Sequence, residues 1–326
     1  MAADLKYFIG RDILQLNETK MAIKMRKNAE FVSKELRCKG WLYVPDELAD
    51  GQTAPAIVMA HGFTAVKEQI LPEFAERFAA AGFVTLVFDY RYFGESEGEP
   101  RSQLFPLEMV EDYRNAITWV YDQPEVDPTR IGLWGTSYSG GLVAYVGTHD
   151  RRVKAVVAQV PATVNPESRR AMDPERYDLT GQFLLQDRIE RYKTRAVKYM
   201  NVVAPEGEPC VLPGKEAYDG YMELKTPNWC NQVTLESLEK IREFDPVSLI
   251  HLMAPTALLL IPAEKDTILP IHTAKETYER AREPKALSIL PIRHFDIYKE
   301  PWLSKAAGLA TDWFQNHLGE GLSPGT

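Results

Sequence analysis

Apolar residues in this chain fall into short unbroken runs, separated by stretches in which they recur every three or four positions. The runs Ala54–Ala60, Phe83–Phe88, Ile131–Trp134, Val153–Val160, Thr256–Ile261 and Ala286–Leu290 read as buried strands. Between them, Leu71–Ala81 predicts a helix with Leu71, Phe74 and Phe78 on one face and Pro72 tolerated in its first turn. A second amphipathic helix is marked by Met109, Val110, Tyr113, Ile117 and Val120, and a last one runs from about Leu303 to His317. Near the N-terminus, Ala29–Ser33 and Leu36–Val44 flank a polar turn at Lys34 and Glu35, the pattern of an antiparallel hairpin at a sheet edge. Phe8–Arg26 reads as an N-terminal arm. Strand and helix alternate thereafter, which predicts an α/β fold with a mostly parallel sheet. In such a fold, functional groups gather beyond the C-terminal ends of the strands.

The alternation is interrupted once. Pro161 ends one strand, and the next of comparable quality begins only at Thr256, a connection too long for a compact domain unless it carries structure of its own. Pro174–Tyr199 is helical in pattern, with Phe183, Leu184, Ile189 and Tyr192 spaced for one broad apolar face, and Leu235–Phe244 is a further helix. Residues 162–244 are therefore expected to form a mostly helical lid over a catalytic domain made of residues 1–161 and 245–326. A lid rich in large side chains implies an apolar pocket beneath it. Phe183, Tyr192 and Trp229 from the lid, with Phe295 beside it, are the candidate substrate-binding residues.

Composition narrows the function. The chain has 326 residues, enough to bury roughly three quarters of its unfolded surface, and 45% hydrophobic and 26% charged residues, as in an ordinary soluble globular protein. Its net charge of -8 argues against a nucleic-acid partner. Cys38, Cys210 and Cys230 are too few and too scattered for a disulfide framework or a zinc site, which favours a reducing compartment. The first residues lack a secretory signal and no apolar run could span a bilayer, so a cytoplasmic protein is expected. No cluster of His, Cys or carboxylate shows metal-ligand spacing, and no glycine-rich fingerprint follows the first core strand. Neither metal nor cofactor is therefore expected. Oligomeric state is not readable from these patterns, a homodimer being one option.

The chemistry centres on Gly135-Thr136-Ser137-Tyr138-Ser139, which follows a strand and opens a helix. Such a turn projects its serine from the sheet, and small neighbours two positions either side let helix and strand approach. A serine hydroxyl needs a base within hydrogen-bond reach, and the base needs an orienter. Of the six histidines, His294 lies just beyond the last strand, on the same sheet edge as Ser137. Asp266 follows Thr256–Ile261 on that edge and is the preferred orienter; Glu264, Asp296 and, more weakly, Asp245 are the alternatives. The backbone N–H groups of Tyr138 and of Phe63, in the turn His61-Gly62-Phe63 after the first core strand, are the candidate oxyanion donors. His61 itself reads as structural.

These residues, in the order Ser137, Asp266, His294, resemble the nucleophile elbow and triad of the α/β-hydrolase superfamily. The form Gly-Thr-Ser-Tyr-x-Gly is similar to the branch holding the cocaine-esterase and Xaa-Pro-peptidase relatives. Together with Asp89-Tyr90-Arg91-Tyr92-Phe93-Gly94-Glu95-Ser96 and His294-Phe295-Asp296, it also resembles polyketide-transferase-like and dienelactone-hydrolase-like enzymes. One departure is Ser139, where the second elbow glycine is usual. The resemblance implies a serine hydrolase acting on a small-molecule ester or thioester, for the polyketide-linked group one with a bulky acyl part. An acyltransferase with the same triad, and a ligand-binding protein that has lost the chemistry, are the competing readings.

Overall fold

The computed structural model describes residues 25–319. Most of the expected arm Phe8–Arg26 lies outside them, and Arg26 itself belongs to the first strand. β1 (Met25–Ser33) and β2 (Leu36–Val44) form the expected hairpin. Its two-residue turn puts Lys34 and Glu35 at positive φ, 49° and 70°, the twist that matches a right-handed strand pair. β2 runs antiparallel to a strand of the main sheet, and every pairing beyond is parallel.

The parallel strands are β3 (Ala54–Ala60), β4 (Val84–Phe88), β5 (Val126–Thr136) and β6 (Val153–Gln159), with the helices α1 (Leu71–Ala80), α2 (Pro106–Tyr121) and α3 (Tyr138–His149) crossing between them. All five residues of β4 are buried, which explains an unbroken apolar run where a half-exposed strand would alternate. After β6 come α4 (Pro166–Met172), α5 (Pro174–Thr194), β7 (Tyr199–Met200), α6 (Lys215–Glu223), β8 (Val233–Thr234) and α7 (Leu235–Glu243). The chain then rejoins the sheet with β9 (Ala257–Ile261), α8 (Ile271–Arg280), β10 (Lys285–Leu287) and α9 (Trp302–Leu318). The eight-stranded sheet has the order β1-β2-β4-β3-β5-β6-β9-β10.

α1 and α9 pack together on one face, where Phe314 meets Phe78 at 5.8 Å and Phe83 at 6.0 Å between ring centroids. α2 and α3 pack against each other on the sheet as well. Burying each such aromatic is worth about 1.5–3 kcal/mol, so the sheet is a rigid base for whatever leaves its C-terminal edge.

Two features of residues 162–244 differ from expectation. β7 and β8 pair as a two-residue antiparallel ribbon, too short for alternation to reveal. The broad apolar face expected on α5 does not exist: Leu184 is its only buried apolar residue, while Phe183, Ile189 and Tyr192 are 49%, 41% and 77% exposed. What α5 turns toward α7 is charge. Arg191 pairs with Asp187 on its own helix and donates to Glu239 at 2.9 Å, and Arg188 also reaches Glu239. No described helix is long and apolar enough to cross a membrane.

Candidate active site

Ser137 sits between β5 and α3 with φ 57° and ψ -121°, a conformation that costs a non-glycine residue about 1–3 kcal/mol. Three backbone bonds offset that cost. Ser137 N–H donates to Gln159 O, and its carbonyl accepts from both Gly140 and Ala162, each at 2.9 Å. Close packing explains the small residues around it. A Cβ on Gly135 would lie 2.4 Å from the Ser139 carbonyl, and one on Gly62 would press on Ser137 Cβ and the Thr136 carbonyl, both at 3.2 Å. Ser139, in place of the usual glycine, is fully buried, and its hydroxyl lies 2.7 Å from Tyr113 Oη and 3.2 Å from Tyr90 Oη. Since Tyr113 Oη also accepts from Ala60 N–H at 3.1 Å, the substitution ties the elbow helix to α2 and β3.

The loops after β9 and β10 bring the other two candidates to this serine. His294 Nε2 lies 3.1 Å from Ser137 Oγ, and His294 Nδ1 lies 2.6 Å from Asp266 Oδ2. A carboxylate only accepts, so Nδ1 carries the proton and Nε2 is free to accept from the serine. Asp266 is itself fixed, its Oδ1 accepting from Ile268 N–H and Leu269 N–H, both at 2.8 Å. Of the alternative orienters, Asp296 accepts from Arg293 N–H and Asp245 from Val247 and Ser248. Both are occupied by their own turns. The side chain of Glu264 is exposed.

A residue that sequence reasoning missed holds the loops of Asp266 and His294 together. Glu216, on α6, accepts from the His294 backbone N–H at 2.9 Å with one oxygen and from the Thr267 hydroxyl with the other. Nothing in its local sequence distinguishes it from a solvated helix charge.

Phe63 and Tyr138 flank Ser137, their rings 5.8 Å apart. The two peptides that flank Phe63 are each held at the carbonyl. His61 Nδ1 donates to the Gly62 carbonyl at 3.1 Å, and Tyr221 Oη donates to the Phe63 carbonyl at 2.6 Å. His61 is buried against Tyr90 and Phe93, and burial pushes its pKa down to about 4. It is thus a neutral positioning group, as its sequence context suggests.

The motif Asp89–Ser96 serves as a brace. Lys67 Nζ donates to Asp89 Oδ2 at 2.9 Å and Glu95 Oε2 at 2.6 Å, while Arg91 Nε donates to Asp112 Oδ1 at 2.6 Å. These pairs lock the loop after β4 to the loop after β3 and to α2.

A cavity of about 790 Å³ opens from Ser137, lined by Phe63, Tyr138, Val164, Phe183, Leu212 and Ile268 among others. Of the four candidate substrate-binding residues, only Phe183 lines it. Tyr192 lies outside, its ring beneath the Arg195 guanidinium. Trp229 is buried behind Tyr221, stacked on it at 5.5 Å, and faces a separate cavity of about 260 Å³. Phe295 packs on Gly220 and Tyr221 and borders a recess of about 50 Å³ on the His294 side of Ser137. Trp229 and Phe295 thus support Tyr221, one step behind the turn it holds.

An eight-stranded, mostly parallel sheet with a strained serine at a strand-to-helix turn defines the α/β-hydrolase class. The family model for X-Pro dipeptidyl-peptidase (S15 family) matches residues 37–181. Quorum-quenching protein AidA of Acinetobacter baumannii is 34% identical over 277 residues, covering 83% of this chain and 88% of its own. Thiohydrolase aneE of Aspergillus aculeatus is 31% identical over 81% of this chain and 84% of its own. Polyketide transferase grgF of Penicillium sp is 28% identical over 81% and 87%. The crystal structure of the α/β hydrolase GrgF from Penicillium sp. sh18 superposes with a TM-score of 0.78 at 26% identity, over 90% of this chain and 99% of that one. The chain belongs to the α/β-hydrolase family of these proteins and is an enzyme of the serine-hydrolase type.

Proposed function

We propose that this enzyme cleaves a carboxylic ester or thioester by way of an acyl-enzyme on Ser137. The observation that carries the reading is the continuous hydrogen-bond chain Asp266–His294–Ser137, at 2.6 and 3.1 Å. His294 takes the serine proton as Oγ attacks the acyl carbon, and returns it to the leaving alcohol or thiol. Asp266 keeps the imidazole in the required tautomer and stabilises its protonated form. The negative charge on the carbonyl oxygen is received by the N–H groups of Phe63 and Tyr138. Water, activated by His294, then releases the acid and restores Ser137.

In this reading residues 162–244 act as the lid, and the acyl part lies in the 790 Å³ cavity against Phe183, Val164 and Ile268. That volume suits a bulky or extended acyl chain, in keeping with the thiohydrolase and polyketide-transferase relatives. The three free cysteines are in keeping with a cytoplasmic enzyme. The likeness to a polyketide transferase supports a second reading, transfer of the same acyl group to an alcohol or amine. The test is a fluorophosphonate probe with peptide mapping, followed by turnover of a matched ester and thioester with and without an added alcohol. One adduct on Ser137, absent in Ser137→Ala, is expected together with release of free acid. Labelling that persists in Ser137→Ala overturns the assignment, and product found only as the acceptor's ester moves the enzyme to the transferase reading.

A further inference from the structure

The cavity over Ser137 is apolar on most of its wall, yet three guanidinium groups line it, those of Arg169, Arg176 and Arg242. Among the described residues none of the three forms an ion pair, whereas Arg91, Arg130, Arg152 and Arg191 are each paired with an aspartate. The single carboxylate on the cavity wall, Asp173, is engaged elsewhere, its Oδ1 capping α5 by accepting from Arg176 N–H at 2.9 Å. Arg242 lies over the Tyr177 ring at 3.8 Å, a contact that leaves its N–H edges free. Arg169 is the most enclosed of the set, and its Nε is buried with no hydrogen-bond partner. Beside it the Tyr138 hydroxyl is also buried without a partner. A buried donor left without a partner is costly, more so when charged. Crowding cations in one cavity adds repulsion: burial, opposed by the phenol oxygen of Tyr138 and assisted by the nearby Arg242, holds the Arg169 pKa below its ordinary value. An anion would relieve both costs at once.

We propose that Arg169 and Arg242, with the exposed Arg176 at the cavity's rim, receive an anionic oxygen group carried by the substrate. Two parts of an acyl substrate can bring such a group: a carboxylate at the far end of the acyl chain, or the phosphates of a coenzyme-A-type thiol. The inference rests on the hydrolase reading and names the substrate class of that same site. Each guanidinium offers paired N–H donors to two oxygens of one anion, and the buried Tyr138 hydroxyl near Arg169 supplies a further donor. The cavity therefore selects by charge at the arginines and by apolar fit elsewhere.

The test compares kcat/KM for p-nitrophenyl hexanoate with that for mono-p-nitrophenyl adipate, and for hexanoyl-N-acetylcysteamine with hexanoyl-CoA. A charge-assisted hydrogen bond predicts a preference of about tenfold or more for the anionic member of one pair, narrowing as salt is added. A preference in the first pair assigns the anion to the acyl chain, and one in the second assigns it to the thiol. Either preference should fall about tenfold in Arg169→Gln/Arg242→Gln, with fluorophosphonate labelling of Ser137 as the control for folding. Should that variant not fold, Arg176→Gln and the salt dependence of the wild type carry the test. Turnover with no preference for either anionic substrate, or a preference that the variants and salt leave unchanged, overturns the proposal. If no ester or thioester is turned over and Ser137 is not labelled, the hydrolase reading itself fails, and this inference with it.

Discussion

The sheet's C-terminal edge and the segment above it, residues 162–244, are built on opposite rules. At the edge, charged groups are matched: Asp266 with His294 and two backbone N–H groups, Asp112 with Arg91 and Ser33, Lys67 with Asp89 and Glu95. In the segment above, Arg169, Arg176 and Arg242 line a cavity and form no ion pair among the described residues, and more than half of the exposed large apolar side chains of the described residues fall within 172–199. The charges of the first region are paired within the protein. The second has unmet donors and apolar surface that a substrate would satisfy. On the proposed reading, reaction type resides in the edge and substrate choice in the cover, with Glu216 and Tyr221 on α6 as the points where the cover reaches into the edge.

The sharpest way to break this division is Asp266→Asn. The change keeps the shape but removes the charge and favours the wrong imidazole tautomer, and in another fold the equivalent loss cost roughly 10⁴ in turnover. We expect kcat to fall by about that factor with little change in chain-length preference. A near-normal rate in Asp266→Asn, with a dead Asp296→Asn, would move the orienting role to Asp296.

A smaller effect tests whether the edge is held by neutral groups. His61 is buried with its pKa lowered to about 4 from 6.5, so between these values the unfolded chain binds the proton and the folded chain does not. Stability from this group is therefore full above about pH 6.5 and is lost as pH falls toward 4, in total about 3 kcal/mol. Asp112 acts in the opposite sense, since burial raises its pKa to about 6 and its contribution falls as pH rises from 3.8 to 6. The useful quantity is thus the difference in unfolding free energy between wild type and His61→Gln, measured by urea denaturation from pH 7 to pH 4. It should shrink toward acid; a pH-independent difference would show that His61 is not held neutral.

The edge was legible in the sequence because its signals are local and redundant. Each catalytic candidate follows a buried apolar run, so the parallel topology alone puts Ser137, Asp266 and His294 on one rim. The candidate oxyanion turn is read the same way, through Gly62 between a strand and a helix. The cover was not legible to the same depth. Spacing in α5 assigned Phe183, Ile189 and Tyr192 to one packed face, but the helix is anchored by Arg191 with Asp187, Glu236 and Glu239. A periodic apolar pattern does not distinguish a face packed on protein from one awaiting a ligand or solvent. Glu216, Tyr221 and Arg169 act across long sequence separations, and only the fold brings them to the site.

The smallest expected effect distinguishes the two sides of α5 and so sharpens the contrast within the cover itself. Phe183 lines the cavity, whereas Tyr192, two turns further along, is 77% exposed and lies outside it. Truncating Phe183 removes apolar wall that an extended acyl chain would contact. With about 0.8 kcal/mol per buried methylene, Phe183→Ala should cost a long-chain ester about 1 kcal/mol in transition-state binding, roughly fivefold in kcat/KM, and an acetyl ester almost nothing. Tyr192→Ala should alter neither, since substitutions at exposed positions away from buried networks usually stay within about 0.5 kcal/mol. The measurement is the ratio of kcat/KM for p-nitrophenyl octanoate over acetate in wild type and both variants, with Ser137 labelling as the control for folding. A fall in that ratio for Tyr192→Ala equal to that for Phe183→Ala would mean that α5 rotates or closes when substrate binds. An unchanged ratio in both would mean that the acyl chain leaves Ser137 toward the smaller recess beside Phe295.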